Sequence, residues 1–183
     1  MDDGRELYRR YLGGDESAFD AIMDAFFFGL VFFVERYVRD ARAAEEIAME
    51  AVSDLFVHPR RYDFRTSLKT YLYMLGKNGA FRYLKKKRRR QDADLPDPDA
   101  IAGDGFDPAA TVLSNERSRV LSEALGKLPA NLSVAIHLIY FDGLSYEEAA
   151  RIMGKNKKQI DNLLYRAKKA LREILGEEGK ELI

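Results

Sequence analysis

The 183-residue sequence contains no cysteine and only two histidines. The absence of cysteine excludes disulfides, thiolate metal sites and cysteine nucleophiles, and it fits a reducing compartment. His58 and His137 lie far apart, and neither has a partner at metal-ligand spacing. The sequence also lacks a glycine-rich phosphate loop and a nucleophile–base pair. We therefore expect no catalytic residue, no metal and no cofactor.

Long hydrophobic segments are also missing. The first ten residues, MDDGRELYRR, are charged and do not have the apolar core of a signal peptide. The longest apolar run, Ala25 to Val34, lies between Asp24 and Glu35 and is far shorter than the ~20 residues that a membrane span needs. We expect a cytoplasmic protein without a membrane partner.

The chain has no net charge, with 30 basic and 30 acidic residues, but the charges are segregated. Every residue from Lys85 to Arg90 is a cation, whereas the stretch from Asp92 to Asp107 holds six aspartates and no lysine or arginine. Electrostatic fields act over ~8–10 Å at physiological salt. A basic segment can therefore bind a polyanion although the whole chain is neutral.

The apolar pattern predicts an all-α protein, because helical spacing dominates and strand-like alternation is absent. Pro59 ends one helix, and Thr66 or Ser67 can cap the next. The Phe-rich segment is apolar on every face, so we expect it to be buried all round. The predicted elements of this half are helices over 5–12, from Asp15 to about Val38 and from Asp40, a loop over 58–67, and a long helix ending in the cationic run.

The aspartate-, proline- and glycine-rich stretch after the cationic run has too few apolar residues to fold alone. We interpret it as a flexible acidic linker between two small helical domains. The predicted division is residues 1–91, linker 92–112 and residues 113–178. Four further helices are expected in the second domain, with a break at Asp142-Gly143.

The strongest motif is a helix-turn-helix near the C-terminus. Ser145 and Glu148 form one capping box, Gly154 ends the short helix, and Asn156 and Gln159 form a second box. Such a motif places its second helix in the DNA major groove. A helical hairpin with a solvated basic face is the alternative. The predicted DNA-facing residues are Lys157, Lys158, Asp161, Asn162, Tyr165, Arg166 and Lys168.

A second candidate surface runs from Asn78 to Arg90, where basic residues alternate with Phe81 and Tyr83. Cations bind phosphates and aromatic rings stack on unpaired bases, so this mixture suits nucleic acid. A solvated charged helix end is the alternative.

Taken together, the two halves resemble a sigma factor of the sigma-70 family, of the short extracytoplasmic-function (ECF) type. The segments GDESAFDAIMDAF, AAEEIAMEAVSDLFV and TYLYMLGKNGAFRYLKKKRR resemble the family's region 2. The segment ALGKLPANLSVAIHLIYFDGLSYEEAARIMG and the helix after it resemble region 4, which contains the helix-turn-helix.

This resemblance implies that the partners are core RNA polymerase and promoter DNA, and it leaves open whether an anti-sigma factor exists. Region 2 would bind the −10 element and the clamp coiled coil of the β′ subunit, while region 4 would bind the −35 element and the β flap. The expected −10 residues are Tyr62, Phe64, Arg65, Asn78, Arg82, Lys85 and Lys86, and the expected polymerase-binding residues are Glu45, Glu46, Glu50 and Asp54.

The acidic linker would then lie in a channel built for nucleic acid and mimic its charge. Arg82 stands where the family usually has an acidic residue or asparagine, and Asp161 and Asn162 interrupt the family's usual basic run, so the promoter sequence stays open. Two other functions remain as alternatives. One is a helix-turn-helix regulator with an N-terminal sensing or dimerisation module, and the other is a sigma mimic that binds a protein through region 4.

Overall fold

The computed structural model describes residues 4–91 and 116–176. These residues form eight α-helices and, within the described ranges, no strand, in agreement with the predicted all-α class. The predicted linker, 92–112, lies outside the described residues. The helices are α1 (Arg5–Leu12), α2 (Ser17–Val38), α3 (Ala41–Val57), α4 (Leu68–Gln91), α5 (Glu116–Gly126), α6 (Ala130–Ile136), α7 (Tyr146–Met153) and α8 (Lys157–Leu175).

Local hydrogen bonds set the helix starts in the N-terminal half, residues 4–91. Asp15 accepts a hydrogen bond from the Ser17 amide at the start of α2, and Asp40 accepts one from the Ala43 amide at 3.0 Å. The Ser67 hydroxyl likewise accepts a hydrogen bond from the Thr70 amide and caps α4. Each of these side chains satisfies an amide that the helix itself leaves without a partner.

Helix α2 forms the centre of the N-terminal half and packs against α1, α3 and α4. Among the described residues it is the one helix that is long and apolar enough to cross a membrane by length and composition. Ile22, Leu30 and Phe33 are fully buried, so core packing accounts for much of this hydrophobicity. The prediction that the segment is buried all round is wrong, because Phe28 is 73% exposed. An apolar surface on α2 therefore faces solvent.

Two glycines allow α4 to approach its neighbours closely. A Cβ atom at Gly79 would lie 2.6 Å from the Ile47 Cγ2 atom on α3, and one at Gly76 would lie 2.8 Å from Leu30 Cδ1 on α2. Such distances are too short for a side chain, so the glycines bring the backbones together at some cost in helix propensity. This packing fixes the direction in which the cationic end of α4 projects.

The C-terminal half, residues 116–176, is built around the buried face of α8, which packs against α5, α6 and α7. Both predicted capping boxes are present, at Ser145 with Glu148 and at Asn156 with Gln159. Gly154 between them has φ +68°, the left-handed conformation that ends α7. After α6 the chain continues as a π-turn over His137–Phe141, closed by a bond from the Asp142 amide to the His137 carbonyl.

The two halves pack directly on each other. Helix α4 lies against α7, and α2 contacts α6. Arg39, at the C-terminal end of α2, donates hydrogen bonds to the carbonyls of Gly126 (2.9 Å), the last residue of α5, and Leu128 (3.1 Å), just after it. Apolar side chains of both halves form one continuous buried cluster.

Candidate nucleic-acid and polymerase surfaces

Helix α8 presents its polar face to solvent, as the helix-turn-helix motif predicts. Ile160, Leu163 and Leu164 are buried against the rest of the C-terminal half. The opposite face is exposed, and Tyr165 in its centre is 72% exposed. The other predicted −35 residues that are exposed are Lys157, Lys158, Asp161, Asn162 and Arg166. This stripe is continuous along one side of the helix and is available to a DNA groove.

Two cations of this stripe have intramolecular contacts. The Lys157 ammonium pairs with Glu147 on α7, across the turn of the motif. Lys168 is only partly exposed, and its ammonium lies 4.9 Å from the centre of the Tyr140 ring. Exposed ion pairs contribute little to stability, so Lys157 can exchange Glu147 for a phosphate. Lys168 lies at the edge of the stripe.

The second predicted DNA surface, the end of α4, also projects into solvent. Asn78, Arg82, Lys85 and Lys86 are exposed. Tyr83 is partly buried and donates a hydrogen bond to Asp40 at 3.2 Å, while Lys87 lies over its ring. Tyr83 therefore holds the helix end against the start of α3, while Phe81 packs against Tyr37 of α2. The exposed cations remain available to phosphates.

One of the predicted −10 residues, Tyr62 in the loop before α4, is buried. Tyr62 is 3% exposed, and its hydroxyl donates to the Thr66 carbonyl at 2.6 Å. Its ring packs against those of Tyr8 and Tyr71. Burial raises the pKa of Tyr8, at the centre of this aromatic cluster, to about 12. Tyr62 thus belongs to the core, because it supplies both ring packing and the hydrogen bond that closes the loop.

Phe64 and Arg65 of the same loop remain accessible. Phe64 has φ 60°, a conformation that L residues rarely adopt. Its half-buried ring lies 4.7 Å from that of Tyr62 on one side and 5.2 Å from the Arg9 guanidinium on another. Arg65 is exposed. Strained backbone of this kind concentrates at functional sites.

The predicted polymerase-binding residues lie on the outer face of α3. Glu45, Glu46 and Glu50 are exposed. Glu46 pairs with Arg42 at 3.2 Å, but both side chains are largely exposed, so the pair can open to a partner. Asp54 is only partly exposed, and its carboxylate lies 2.6 Å from Arg61, so it stabilises the turn after α3. The acidic surface of α3 is defined by its three exposed carboxylates, Glu45, Glu46 and Glu50.

Apolar residues within this acidic surface were not predicted from the sequence. Val57 is 69% exposed and Met49 is 44% exposed, and both line a shallow groove with Glu46 and Glu50. Their spacing along α3 places Met49 and Val57 on the same helix face as the glutamates. The helical spacing in the sequence could therefore have revealed them. An apolar centre with a charged rim is the usual composition of a protein-binding surface.

Comparison with known families matches both halves. A model described as Sigma-70 region 2 matches residues 29–90, and a model described as Sigma-70, region 4 matches residues 118–171. The first match contains α3 and all but the last residue of α4, and the second contains the helix-turn-helix. The surfaces on α3 and α4 therefore fall in region 2, and the α8 stripe falls in region 4.

Relatives match along nearly the whole chain. The RNA polymerase sigma-H factor of Pseudomonas aeruginosa is 26% identical over 179 residues, 93% of each chain. The ECF RNA polymerase sigma-E factor of Escherichia coli is 28% identical over 175 residues, 90% of each chain.

Two solved structures share the fold. One is the sigma factor RpoE in complex with the anti-sigma factor NepR from Bartonella quintana, at a TM-score of 0.66 and 24% identity, covering 87% of this chain and 97% of that one. The other is CnrH in complex with the cytosolic domain of CnrY, at a TM-score of 0.65 and 21% identity, covering 95% of this chain and 97% of that one. Two family regions in the expected order, full-length relatives and a shared fold agree, and the chain belongs to the sigma-70 family of RNA polymerase sigma factors, as a member of the ECF type.

Proposed function

We propose that this protein binds core RNA polymerase and directs transcription initiation at promoters whose −10 and −35 elements it recognises. The observation that carries the proposal is that one chain exposes two nucleic-acid surfaces, the capped α8 stripe and the cationic end of α4. A regulator that used only its helix-turn-helix would not need the second surface. Because bacterial transcription takes place in the cytoplasm, we place the protein there, and no step of this function requires a catalytic residue.

In this proposal each surface has one task. The α8 stripe enters the major groove of the −35 element, with Lys157 and Lys158 at phosphates and Asn162 and Arg166 at base edges. Phe64 and Arg65 of the loop before α4 and the α4 residues Asn78, Arg82, Lys85 and Lys86 contact the −10 element. The acidic surface of α3 contacts the clamp coiled coil of the β′ subunit, and the C-terminal half contacts the β flap. The division into domains 1–91 and 113–178, joined by an acidic linker, serves this two-site recognition.

The direct test is run-off transcription with purified core polymerase on a library of promoter fragments. Core polymerase with this protein should give discrete transcripts that core polymerase alone does not give. A regulator would instead require a resident sigma factor in the same reaction, and a sigma mimic would lower transcription by the resident holoenzyme. Transcripts that depend on a second sigma factor would overturn the proposed function.

Replacing Asn162 by alanine should relax the preference at one base position of the −35 element. The amide offers one donor and one acceptor to an adenine edge, and its loss should cost ~1–3 kcal/mol at that base pair. Lys158→Ala is the matched control in the same exposed stripe. It should weaken binding to all sequences alike and reduce the salt dependence, because it removes one phosphate contact. The measurement is a base-by-base affinity scan of the −35 element, and an unchanged scan for Asn162→Ala would contradict the groove orientation.

A further inference from the structure

The α8 stripe contains one acidic residue. From Lys157 to Arg172 the helix carries six lysines and arginines, and Asp161 is the one carboxylate among them. Ile160 and Leu164 anchor the inner side of the helix in the core, which fixes its rotation. Asp161 is exposed and lies one turn before Tyr165, the exposed centre of the stripe. The carboxylate therefore belongs to the surface that enters the −35 groove in the proposed complex.

Asp161 has no structural role that the fold requires. The first turn of α8 is already capped by Asn156 and Gln159, and Asp161 lies beyond that turn, where the helix dipole acts weakly. Lys157, four residues earlier, pairs with Glu147 on α7 instead. Within residues 4–91 and 116–176, the Asp161 carboxylate forms no ion pair and no hydrogen bond. Because aspartate is also a weaker helix former than most residues, α8 would fold at least as well without it.

A carboxylate in the major groove needs a hydrogen-bond donor. Phosphates of the same charge surround it there, it loses part of its water, and an ionised carboxylate can only accept hydrogen bonds. Cytosine offers its N4 amine and no acceptor on the major-groove edge. Adenine sets the N7 acceptor beside its amine, and guanine and thymine present acceptors. Cytosine is therefore the base whose edge matches Asp161.

We propose that Asp161 determines specificity by requiring a cytosine at one position of the −35 element, close to the base pair that Asn162 contacts. The carboxylate accepts a hydrogen bond from the cytosine N4 amine and repels the acceptors of the other three bases. Discrimination of this kind works through unfavourable contacts with the wrong sequence as well as through the favourable contact with the right one. The inference rests on the proposed function, because it assigns a base to the surface of α8 that reads the −35 element.

The test measures which duplexes the protein selects. A library of duplexes randomised over the −35 element is selected with the whole chain alone at low salt and, in parallel, with its complex with core polymerase. The wild type should require cytosine at one position, with about tenfold weaker binding for each of the other three bases. Asp161→Ala should lose this requirement and bind the non-cytosine duplexes about threefold more tightly than the wild type, because the repulsion is gone. Alanine favours the helix, so α8 stays folded.

Glu173→Ala is the matched control. Glu173 is an exposed carboxylate near the C-terminal end of the same helix and outside the stripe. Its removal changes the net charge by the same amount and should leave the cytosine requirement intact. If Glu173→Ala removed the requirement as well, net charge would set the preference and the assignment of Asp161 would fail.

A chemically modified base tests the hydrogen bond itself. In N4-methylcytosine a methyl group replaces the amine hydrogen that faces the major groove, while the pair with guanine is kept. The wild type should bind a selected duplex about tenfold more weakly when the required cytosine carries this methyl group. Asp161→Ala should bind the two duplexes equally.

Three results would overturn the proposal: a wild type without a cytosine requirement, an Asp161→Ala variant that keeps it, or no duplex binding in either arm of the selection. The arm with the chain alone works without polymerase. A failure of run-off transcription would therefore remove the proposed function and leave the base preference to decide the role of Asp161.

Discussion

Reversing the charge of Glu46 and Glu50 to lysine is expected to lower the affinity for core polymerase about a hundredfold, the largest effect that we expect from any surface change. The two side chains are exposed one helical turn apart on α3 and flank the apolar groove that contains Met49 and Val57. In the proposed complex they face a basic part of the β′ clamp, and like charges set opposite each other cost several kcal/mol. A hundredfold loss corresponds to about 2.7 kcal/mol, within that range.

The matched control is the reversal of Asp20 and Asp24, which have the same four-residue spacing and are exposed on α2. It introduces the same change in net charge on a different helix. The measurement is equilibrium binding of labelled protein to core polymerase at two salt concentrations, with circular dichroism of each variant. Equal losses for the two double variants would show that net charge, and not the α3 surface, governs binding.

Replacing Phe64 by alanine should impair promoter melting more than promoter binding. Unstacking a base costs a few kcal/mol, and one base–aromatic stack returns ~1–3 kcal/mol. Loss of the ring should therefore reduce open complexes ~10–100-fold while closed complexes form nearly as before. The strained φ of 60° at Phe64 and the half-exposed ring single it out within the loop. Permanganate footprinting of melted thymines, beside a gel-shift assay on the same promoter, measures the two steps separately.

Tyr62→Ala is the informative comparison for Phe64→Ala. Because Tyr62 is buried and closes the loop through the Thr66 carbonyl, its truncation should cost ~3–5 kcal/mol of stability and lower the melting temperature. Both promoter assays should then fail together for that variant. If Phe64→Ala also lowered binding and melting equally, the loop would be a structural connector, and base capture would belong to another aromatic residue.

The positions of the helices followed from short-range patterns in the sequence. The capping boxes at Ser145 and Asn156 are bonds between residues three apart, and the Asp40 cap on α3 spans the same distance. Such bonds form within one helical turn whatever the rest of the chain does. The helix-turn-helix and the exposure of the α8 stripe were predictable for this reason, since an amphipathic helix buries its apolar side.

The roles of single residues in the loop and at the contact between the halves depended on residues far away in the sequence. Tyr62 and Phe64 are both aromatic residues of the same loop, so the sequence does not distinguish them. Only the positions of Tyr8 and Tyr71 make Tyr62 a core residue. Phe28 looked like part of a fully buried segment and is exposed, because the packed helices cover only part of α2.

Asp142 shows the same limit most clearly. The Asp142-Gly143 pair is typical of a helix break. The break is present in the structure, where Gly143 has φ +65°. Its partners Lys69 and Tyr73 precede it by about seventy residues, and the space for its carboxylate is provided by Gly29 on a third helix. The sequence by itself determined the helices, their caps and the family, because those signals are local or shared among relatives. Only the tertiary structure decided that Asp142 binds Lys69 and that Glu148 accepts hydrogen bonds from the Ser67 and Thr70 hydroxyls at the start of α4. Burial and ion pairing depend on which surfaces meet after the chain has folded.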